Sequence, residues 1–373
     1  MKYYIIAGEA SGDLHGSNLI KQLKKLDTAA SVRCWGGDKM EAAGATLVKH
    51  YRDLAFMGFT EVIKNLPTIF KNLAFCKKDI LDHRPDVLIL VDYPGFNLRI
   101  AKWAREQGLR IVYYISPQVW AWQENHVHRI KKNVDKMMVI LPFEKAFYQK
   151  WNFEVDYVGH PLVEVVDAFK QTGNHLSIAD LSEDHKEVIA LLPGSRKQEI
   201  LKKLPVMLEL TKEFPEYQFV VAKAPGLDEH FYTNLLQPYH NVSSVLNKTY
   251  ELLSISKAAL VTSGTATLET ALFGVPEIIC YKGNAISYQI AKRLISIKFI
   301  GLVNLIMDKE VVKELIQHDL TVPNLATELK KLLEDPIKIK QVQEDYRQLK
   351  ALLSQGGHAS ANAARLVYDM IKA

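Results

Sequence analysis

Cysteine is scarce in this chain, whose 373 residues include three, Cys34, Cys76 and Cys280, far apart in the sequence. They show no C-x-x-C spacing and are too few for a disulfide framework, so we expect a reducing compartment. The apolar run near the start is short and is interrupted by Glu9 and Asp13, which argues against a signal peptide or a membrane span. These absences predict a cytosolic or peripheral protein.

Charge of one sign is not in excess either. The formal net charge is +5, from 47 basic and 42 acidic residues, and no block of like charge resembles a nucleic-acid-binding tail. The balance suits anionic ligands or a lipid surface, and we expect no nucleic-acid partner. The chain also contains no low-complexity segment and no short-period repeat.

Several familiar ligand motifs are missing. The glycines at positions 8, 12 and 16 do not fit G-x-G-x-x-G, and no G-K-[ST] follows, which excludes the dinucleotide fingerprint and the P-loop. There is no H-E-x-x-H or D-x-D, and His126 and His128 are two residues apart on a predicted helix, hence on divergent faces. We therefore expect neither a metal nor a cofactor.

What the sequence does contain is an alternation of apolar runs with helical patterns. Its length and 48% hydrophobic content favour two domains with buried cores. The alternation predicts an α/β fold of two domains, each with a parallel sheet, and a helical C-terminal tail. The predicted strands are residues 3–7, Val87–Val91, 111–115 and 136–140 in the first half, and Val188–Leu192, 219–222, 258–261 and 277–280 in the second.

A polar stretch between residues 171 and 186 marks the predicted domain connection. We predict a first domain at residues 1–170, a second at 185–345, and C-terminal helices at 346–373 that can pack back on the first domain. A ligand cleft is expected between the domains. The pattern of the tail is compatible both with packing inside one chain and with exchange in a homodimer.

Two turns of the first domain are candidates for ligand chemistry. Gly8 to Asp13 follow a predicted strand and open a helix, where backbone N–H groups suit an anionic or sugar ligand. An ordinary βα turn is the alternative. Asp92 ends the predicted strand Val87–Val91, which places its carboxylate at the ligand edge of the sheet as a candidate general base for a sugar hydroxyl. An aspartate that caps its own turn would give the same pattern.

Two turns of the second domain suit phosphate groups. Gly194 and Arg196 follow a predicted strand, where glycine allows close approach and the arginine fork matches a diphosphate. An arginine tied to Glu199 is the alternative. Residues 262–269 repeat this architecture with clustered hydroxyls, and Glu269 suits either the ribose hydroxyls or the helix N-terminus. Together the turns predict a nucleoside diphosphate site.

Aromatic and basic residues suggest further contacts. Trp120, in the sequence Ser-Pro-Gln-Val-Trp-Ala-Trp, either lines a sugar or acyl pocket or fills the core. Residues 56–78 alternate apolar side chains with lysines, which fits a helix on a bilayer or a helix packed on its own sheet. Residues 295–300 carry the same ambiguity. Exposure of both segments would indicate a lipid-borne substrate.

These motifs together resemble the lipid-A-disaccharide synthase family over nearly the whole chain. The resemblance implies an inverting glycosyltransferase of the GT-B type, built of two Rossmann-like domains with parallel sheets. Such an enzyme acts at the cytoplasmic face of the inner membrane of Gram-negative bacteria, in the synthesis of lipopolysaccharide. It implies transfer from UDP-2,3-diacylglucosamine to 2,3-diacylglucosamine 1-phosphate (lipid X), giving the β-1,6-linked disaccharide 1-phosphate and UDP. The motifs are GEASGD at residues 8–13, the Asp92 strand end, SPQVWAW at 116–122, LPFE at 141–144, GHP at 159–161, LPGSR at 192–196 and SGTATLE at 263–269.

The resemblance also implies roles for individual residues. Asp92 matches the family's essential strand-end aspartate, and Arg196 matches its UDP-binding arginine. Gly95 stands where many members have a second acidic residue, which leaves Asp92 as the single predicted base. The predicted substrate-binding residues are Glu9, Ser11, Gly12, Asp13, Asn97 and Trp120. The predicted UDP-binding residues are Gly194, Ser195, Arg196, Ser263, Gly264, Thr265, Thr267, Glu269 and Asn304.

Two other classes of function are compatible with these residues. One is another two-domain UDP-sugar enzyme, either an epimerase or a transferase with a soluble acceptor. Burial of residues 59–75, together with a failure to bind liposomes, would favour a soluble acceptor. The other is a non-catalytic nucleotide-sugar sensor, which would bind UDP without sugar transfer. Asp92 together with an intact nucleotide motif argues against the sensor.

Overall fold

The computed structural model describes residues 1–54, 66–122, 124–172, 177, 185–284, 288 and 298–372. The chain divides into two compact units, one formed by Met1–Pro161 with Leu353–Ala373 and the other by Leu162–Leu352. Each unit is built on one parallel sheet. The predicted α/β class with two Rossmann-like sheets is confirmed.

The first unit contains seven strands, whose order in the sheet is β3-β2-β1-β4-β5-β6-β7. They are β1 (Lys2–Ala7), β2 (Ser31–Gly36), β3 (Thr46–His50), β4 (Val87–Val91), β5 (Ile111–Tyr114), β6 (Lys136–Val139) and β7 (Asp156–Tyr157). β4 is buried at every residue and β1 at all but its first, as expected for strands covered on both faces. The strand order reverses between β1 and β4, which pair directly. This position is the topological switch point of the first sheet.

Helices cover the first sheet, and among those the structure describes, none combines the length and the apolar character needed to cross a bilayer. They are α1 (Ala10–Leu26), α2 (Asp38–Ala42), α3 (Leu66–His83), α4 (Pro94–Glu106), α5 (Val119–Trp122), α6 (His126–Asn133) and α7 (Glu144–Gln149). The predicted amphipathic stretch at 56–78 falls in α3 from residue 66 onward. Its residues 56–65 lie outside the described part of the chain, as do residues 295–297 of the second apolar segment.

The second unit contains six strands in the order β10-β9-β8-β11-β12-β13, so its switch point lies between β8 and β11. The strands are β8 (Val188–Leu192), β9 (Gln218–Lys223), β10 (Val242–Leu246), β11 (Ser256–Thr262), β12 (Glu277–Tyr281) and β13 (Lys313–Ile316). The helices are α8 (Pro161–Gln171), α9 (Lys197–Leu210), α10 (Glu229–Leu236), α11 (Thr249–Ile255), α12 (Thr265–Phe273), α13 (Leu302–Met307), α14 (Val322–Glu334) and α15 (Pro336–Ser354).

The last helix, α16 (Ala359–Lys372), belongs to the first unit and packs on α1. Its small residues Ala359 and Ala363 are buried in the same core cluster as Leu19 of α1. The chain reaches this helix past Gly159, where a Cβ on Gly356 would lie 2.3 Å from the Gly159 backbone nitrogen. Two glycines at this crossing therefore allow the backbone contact that returns the tail to the first sheet.

Candidate functional site

Four of the turns singled out in the sequence lie at the switch points of the two sheets, whereas SPQVWAW follows β5 and LPFE follows β6. Gly8 follows β1 and Asp92 follows β4 at the first switch point, whereas Pro193 follows β8 and Ser263 follows β11 at the second. Open parallel sheets bind ligands at the carboxyl ends of their strands beside such points. In each unit, the topology brings two predicted turns to one ligand-binding edge.

The turn after β4 holds Asp92 in a strained backbone conformation. Asp92 and Tyr93 both have left-handed φ angles, 45° and 49°, which are costly for residues other than glycine. Asn97 secures the turn by donating from Nδ2 to the carbonyl oxygens of Val91 (3.3 Å) and Asp92 (2.8 Å). The Tyr113 hydroxyl donates to the same Asp92 carbonyl at 2.6 Å. These bonds fix the point from which the Asp92 side chain leaves the backbone.

The carboxyl group of Asp92 is adapted to proton transfer near neutral pH. Its burial and the neighbouring Glu9 carboxylate raise its pKa to about 6. A hydrogen bond from the Tyr93 N–H favours the charged form and partly opposes this shift. A general base is most effective when its pKa lies near the operating pH. The chemistry of the site therefore suits the predicted role of Asp92, which stays a prediction.

The turn after β1 presents a carboxylate beside Asp92. Glu9 is the N-cap residue of α1, its side chain makes no capping hydrogen bond, and it is partly exposed. Ser11 is exposed in the first turn of the helix. Gly12 has a packing role, since a Cβ there would lie 3.1 Å from the Cβ of Ala7. Glu9 and Ser11 are therefore the accessible polar side chains of this turn.

Asp13, also a predicted substrate residue, uses its carboxylate within the fold. It is buried and accepts hydrogen bonds from the N–H groups of Gly37 (2.8 Å), Lys39 (3.1 Å) and Met40 (3.0 Å). These donors form the start of α2, so Asp13 caps a neighbouring helix through its negative charge. A substrate contact of Asp13 stays a prediction.

The glutamate of the LPFE motif holds Trp120 of the short helix α5 in place. Buried Glu144 accepts hydrogen bonds from the Trp120 indole (3.2 Å) and from the N–H groups of Ile140 (3.2 Å) and Leu141 (2.8 Å). Burial raises the pKa of Glu144 to about 7, although these donors favour its charged form. Trp120 is partly exposed and packs edge-on against Phe143. The sequence analysis missed this role of Glu144. The available signal was an acidic residue at the start of a helix, where a carboxylate can accept hydrogen bonds from the N–H groups of the preceding residues.

The turn after β8 presents its polar groups at the surface. Gly194 has a φ of 114°, and Ser195 and Arg196 are exposed. Arg196 Nη1 donates to Glu199 Oε1 at 3.2 Å, the alternative partner that the sequence allowed. The Arg196 side chain is 57% exposed in this pair, and exposed ion pairs contribute little to stability. A diphosphate can therefore compete with Glu199 for the guanidinium.

The turn after β11 leads directly into α12. Gly264, with a φ of 145°, precedes the helix, and it and Thr265 are exposed. The Ser263 hydroxyl donates to the Ile300 carbonyl at 2.9 Å, and buried Thr267 donates to the Gly264 carbonyl at 2.8 Å. Ser263 and Thr267 thus shape the turn, while the exposed backbone at the start of α12 suits an anion.

Glu269, one turn into α12, is oriented by a tyrosine that the sequence analysis did not identify. The Tyr250 hydroxyl donates to Glu269 Oε1 at 2.6 Å. Burial raises the pKa of Glu269, and this hydrogen bond opposes the shift. The Tyr250 ring packs against Phe169 and Phe273, with centroids 5.5 and 5.2 Å apart. The carboxylate is therefore held in one orientation before a ligand arrives.

Asn304, a predicted UDP residue, has its side-chain hydrogen-bonding capacity filled within the fold. Nδ2 donates to the Val312 carbonyl (2.8 Å) and to Glu314 Oε1 (3.0 Å). Oδ1 accepts from the N–H groups of Val311 (2.8 Å) and Val312 (3.0 Å). Two donors and two acceptor positions are all that an asparagine amide offers. Asn304 positions this segment, and a direct UDP contact stays a prediction.

The second switch point also contains a buried lysine that the sequence analysis missed. Lys203 of α9 donates from Nζ to the hydroxyl of Thr262 at the end of β11. Its spacing of four residues from Glu199 was the available signal. No group of three or more His, Cys, Asp and Glu within the described ranges is arranged to hold a metal ion.

Comparisons with known proteins agree over the full length of the chain. The family model described as lipid-A-disaccharide synthetase matches residues 3–367. A lipid-A-disaccharide synthase of Geobacter metallireducens is 38% identical over 98% of this chain and 96% of its own length. A lipid-A-disaccharide synthase of Syntrophus aciditrophicus is 40% identical over 99% of this chain and 97% of its own length.

Solved structures share the architecture at low sequence identity. A UDP-GlcNAc 2-epimerase from Neisseria meningitidis, bound to UDP-GlcNAc, superimposes with a TM-score of 0.69 and 14% identity over all of both chains. The glycotransferase of kitacinnamycin gives a TM-score of 0.67 and 14% identity, covering 99% of this chain and 98% of its own. At this identity the likeness describes the fold alone.

Proposed function

Because the chain belongs to the lipid-A-disaccharide synthase family, and is thus a glycosyltransferase of lipid A biosynthesis, we propose its substrates and the residues that act on them. The donor is UDP-2,3-diacylglucosamine and the acceptor is 2,3-diacylglucosamine 1-phosphate. The products are the β-1,6-linked disaccharide 1-phosphate and UDP. The observation that carries this proposal is that two predicted turns meet at each switch point. The first switch point holds Asp92, whose pKa is raised to about 6, and the second holds two turns suited to phosphate groups.

The second unit is the proposed UDP site. Arg196 is an exposed guanidinium beside a glycine turn, and α12 begins at the neighbouring turn. Guanidinium forks and helix N-termini both bind phosphate oxygens. Glu269, held by Tyr250, is the proposed ribose contact. The UDP-sugar ligand of the Neisseria epimerase supports a donor of this class on a shared fold.

Asp92 is the proposed base. The acceptor's 6-hydroxyl transfers its proton to Asp92 as its oxygen attacks the anomeric carbon of the donor from the face opposite UDP. The bond from that carbon to the UDP oxygen breaks, and the charge on the departing UDP is stabilised by Arg196 and the helix N-termini. The configuration inverts because one displacement occurs.

The exposed face of α3 is the proposed contact with the inner face of the inner membrane. Phe70 and Phe75 are 63% and 48% exposed, and Lys71 beside them is exposed as well. Leu73 is buried on the other face of the helix. Aromatic and basic side chains on one exposed face are typical of helices that bind membrane surfaces. A peripheral attachment of this kind would give access to acylated sugars.

The family assignment favours sugar transfer over the epimerase alternative, although the fold is common to both. Family membership and the presence of Asp92 likewise argue against a sensor that binds UDP without turnover. The two alternatives differ from the proposal in their products, so a product assay separates them.

The decisive test is mass spectrometry of purified protein incubated with both acyl sugars in detergent. Wild-type protein should form the disaccharide phosphate, and Asp92→Asn should form little of it while still binding UDP. Glu106→Gln removes an exposed carboxylate at the end of α4 and serves as the control. Folded protein that binds UDP and forms no disaccharide would contradict the proposal and favour another acceptor or a sensor.

A further inference from the structure

Lys203 is a buried cation at the second switch point. Its side chain is 3% exposed, and Nζ donates a hydrogen bond to the hydroxyl of Thr262, the last residue of β11. Lysine side chains are almost never fully buried unless they are paired. Among the described residues, the carboxylate that pairs with it is Glu199, whose Oε2 lies 3.8 Å from Nζ.

Glu199 contacts two cationic side chains, of which Arg196 is exposed and Lys203 is buried. Its Oε1 accepts a hydrogen bond from Arg196 at 3.2 Å, and its Oε2 faces Lys203. The three residues are spaced by three and four positions from the start of α9, so their side chains lie on one face. Arg196 is open to solvent and Lys203 is enclosed. One carboxylate thus connects an exposed surface cation to a buried one.

The shared carboxylate lies directly beside the glycine turn. A Cβ built on Gly194 would lie 3.1 Å from Glu199 Oε2 and 3.6 Å from Lys203 Nζ. An anion bound at this turn would therefore be sensitive to the charge of both groups. A carboxylate close to a bound diphosphate and without a cation of its own would weaken binding by like-charge repulsion.

We propose that Lys203 is a positioning residue of the UDP site, which retains the Glu199 carboxylate when Arg196 moves from Glu199 to the diphosphate. This inference rests on the proposed UDP-sugar function. Lys203 acts through Glu199 and does not touch the nucleotide. It holds the negative charge of Glu199 at the sheet, where Thr262 fixes the ammonium group.

The electrostatics of the pair agree with this exchange. Burial lowers the pKa of Lys203, the Glu199 carboxylate raises it, and the nearby positive charge of Arg196 lowers it. Movement of Arg196 toward a ligand removes a like charge from the neighbourhood of Lys203. The Glu199–Lys203 pair therefore becomes stronger at the moment when it replaces the Glu199–Arg196 pair.

A double-mutant cycle measured by calorimetry tests this inference. UDP affinity is measured for wild type, Lys203→Met, Glu199→Gln and the double variant, and uridine binding is followed by ligand-observed NMR. Lys202→Met is the matched control, because Lys202 is the exposed neighbour on the same helix. Lys203→Gln, which keeps a donor near Thr262 without the charge, provides the same comparison if Lys203→Met does not fold.

The expected pattern depends on the charge of Glu199. Lys203→Met should weaken UDP binding roughly tenfold, within the range for coupled neighbouring charges, and leave uridine binding unchanged. Glu199→Gln should bind UDP at least as tightly as wild type, because Arg196 has no carboxylate to leave. The double variant should return to within about twofold of Glu199→Gln alone, and Lys202→Met should resemble wild type.

Several results would overturn the inference. A double variant as weak as Lys203→Met would show that Lys203 acts on the ligand or on the turn directly. Equal losses of UDP and uridine binding would show a structural collapse of the site, and an unchanged Lys203→Met would remove any role. Wild-type protein that does not bind UDP would instead overturn the proposed function itself.

Discussion

The ring of Tyr93 lies directly against Gly8, so that a Cβ built on Gly8 would be 2.3 to 2.5 Å from three atoms of that ring. This contact joins the turn after β1 to the turn after β4. Tyr93 is held in a left-handed conformation immediately after Asp92, and its ring also stacks on Phe96. The position of the candidate base therefore depends on the absence of a side chain at residue 8.

Gly8→Ala should displace Tyr93 and with it Asp92. A misplacement of a catalytic group by about 1 Å costs on the order of 10²-fold in rate, and we expect a loss of that order in kcat. Gly95→Ala is the matched control, because a Cβ at Gly95 would meet no atom within 4 Å. Comparable disaccharide formation by the Gly8 and Gly95 variants would show that the contact does not position the base.

The activity should depend on pH through Asp92. A base must be deprotonated, and the pKa of Asp92 is raised to about 6, so kcat/KM should rise with pH and level off above that value. Asp92→Asn should lower turnover by roughly 10²–10⁴, the usual contribution of a positioned base, and should abolish this rising limb. Retention of the limb in the variant would assign it to another group.

Arg196→Ala should weaken UDP binding by roughly 1.5–3 kcal/mol, the range for a charge-assisted hydrogen bond. The exposed pair with Glu199 in the absence of ligand favours the lower end of that range. Calorimetry with UDP measures the effect, and Lys202→Ala, an exposed cation on the same helix, is the control. Unchanged UDP affinity of the Arg196 variant would refute the assignment.

Tyr250→Phe should reduce recognition of the ribose. The variant keeps the packed ring but removes the hydroxyl that orients Glu269, so UDP affinity should fall by roughly fivefold, about 1 kcal/mol. Binding of a 2′,3′-dideoxy analogue of UDP should change little. Tyr239→Phe, which breaks a comparable bond to exposed Glu209, is the control. Equal losses for UDP and the analogue would contradict a role for Glu269 at the ribose.

Phe70→Ser should weaken binding to vesicles of anionic lipid by roughly fivefold, a fraction of the free energy of burying a phenylalanine. Phe70 is 63% exposed on α3, so the folded state should tolerate the change. Leu246→Ser replaces an exposed apolar residue of the second unit and is the control. Equal sedimentation of both variants with the vesicles would argue against α3 as the membrane contact.

The sequence did not predict which polar side chains of the candidate site are free to bind a ligand. Asp13 and Asn304 have residue types suited to ligand binding, yet their polar atoms are satisfied by groups of other segments, which are backbone groups for Asp13 and backbone groups with the Glu314 carboxylate for Asn304. The chemistry of a residue type does not reveal which of its hydrogen bonds are already used. Lys203 shows the converse, because the four-residue spacing from Glu199 is equally common for lysines on exposed helix surfaces and does not reveal that this one is buried.

The sequence by itself determined the fold class, the family and the strand ends at which the motifs lie. These features are local: strands buried on both faces read as apolar runs, and βα turns require particular residues at fixed offsets. Only the tertiary structure decided the near-neutral pKa of Asp92, the anchoring of Trp120 by Glu144 and the shared carboxylate of Glu199. Burial and hydrogen-bond partnership depend on which residues meet in space, and a linear pattern does not contain that information.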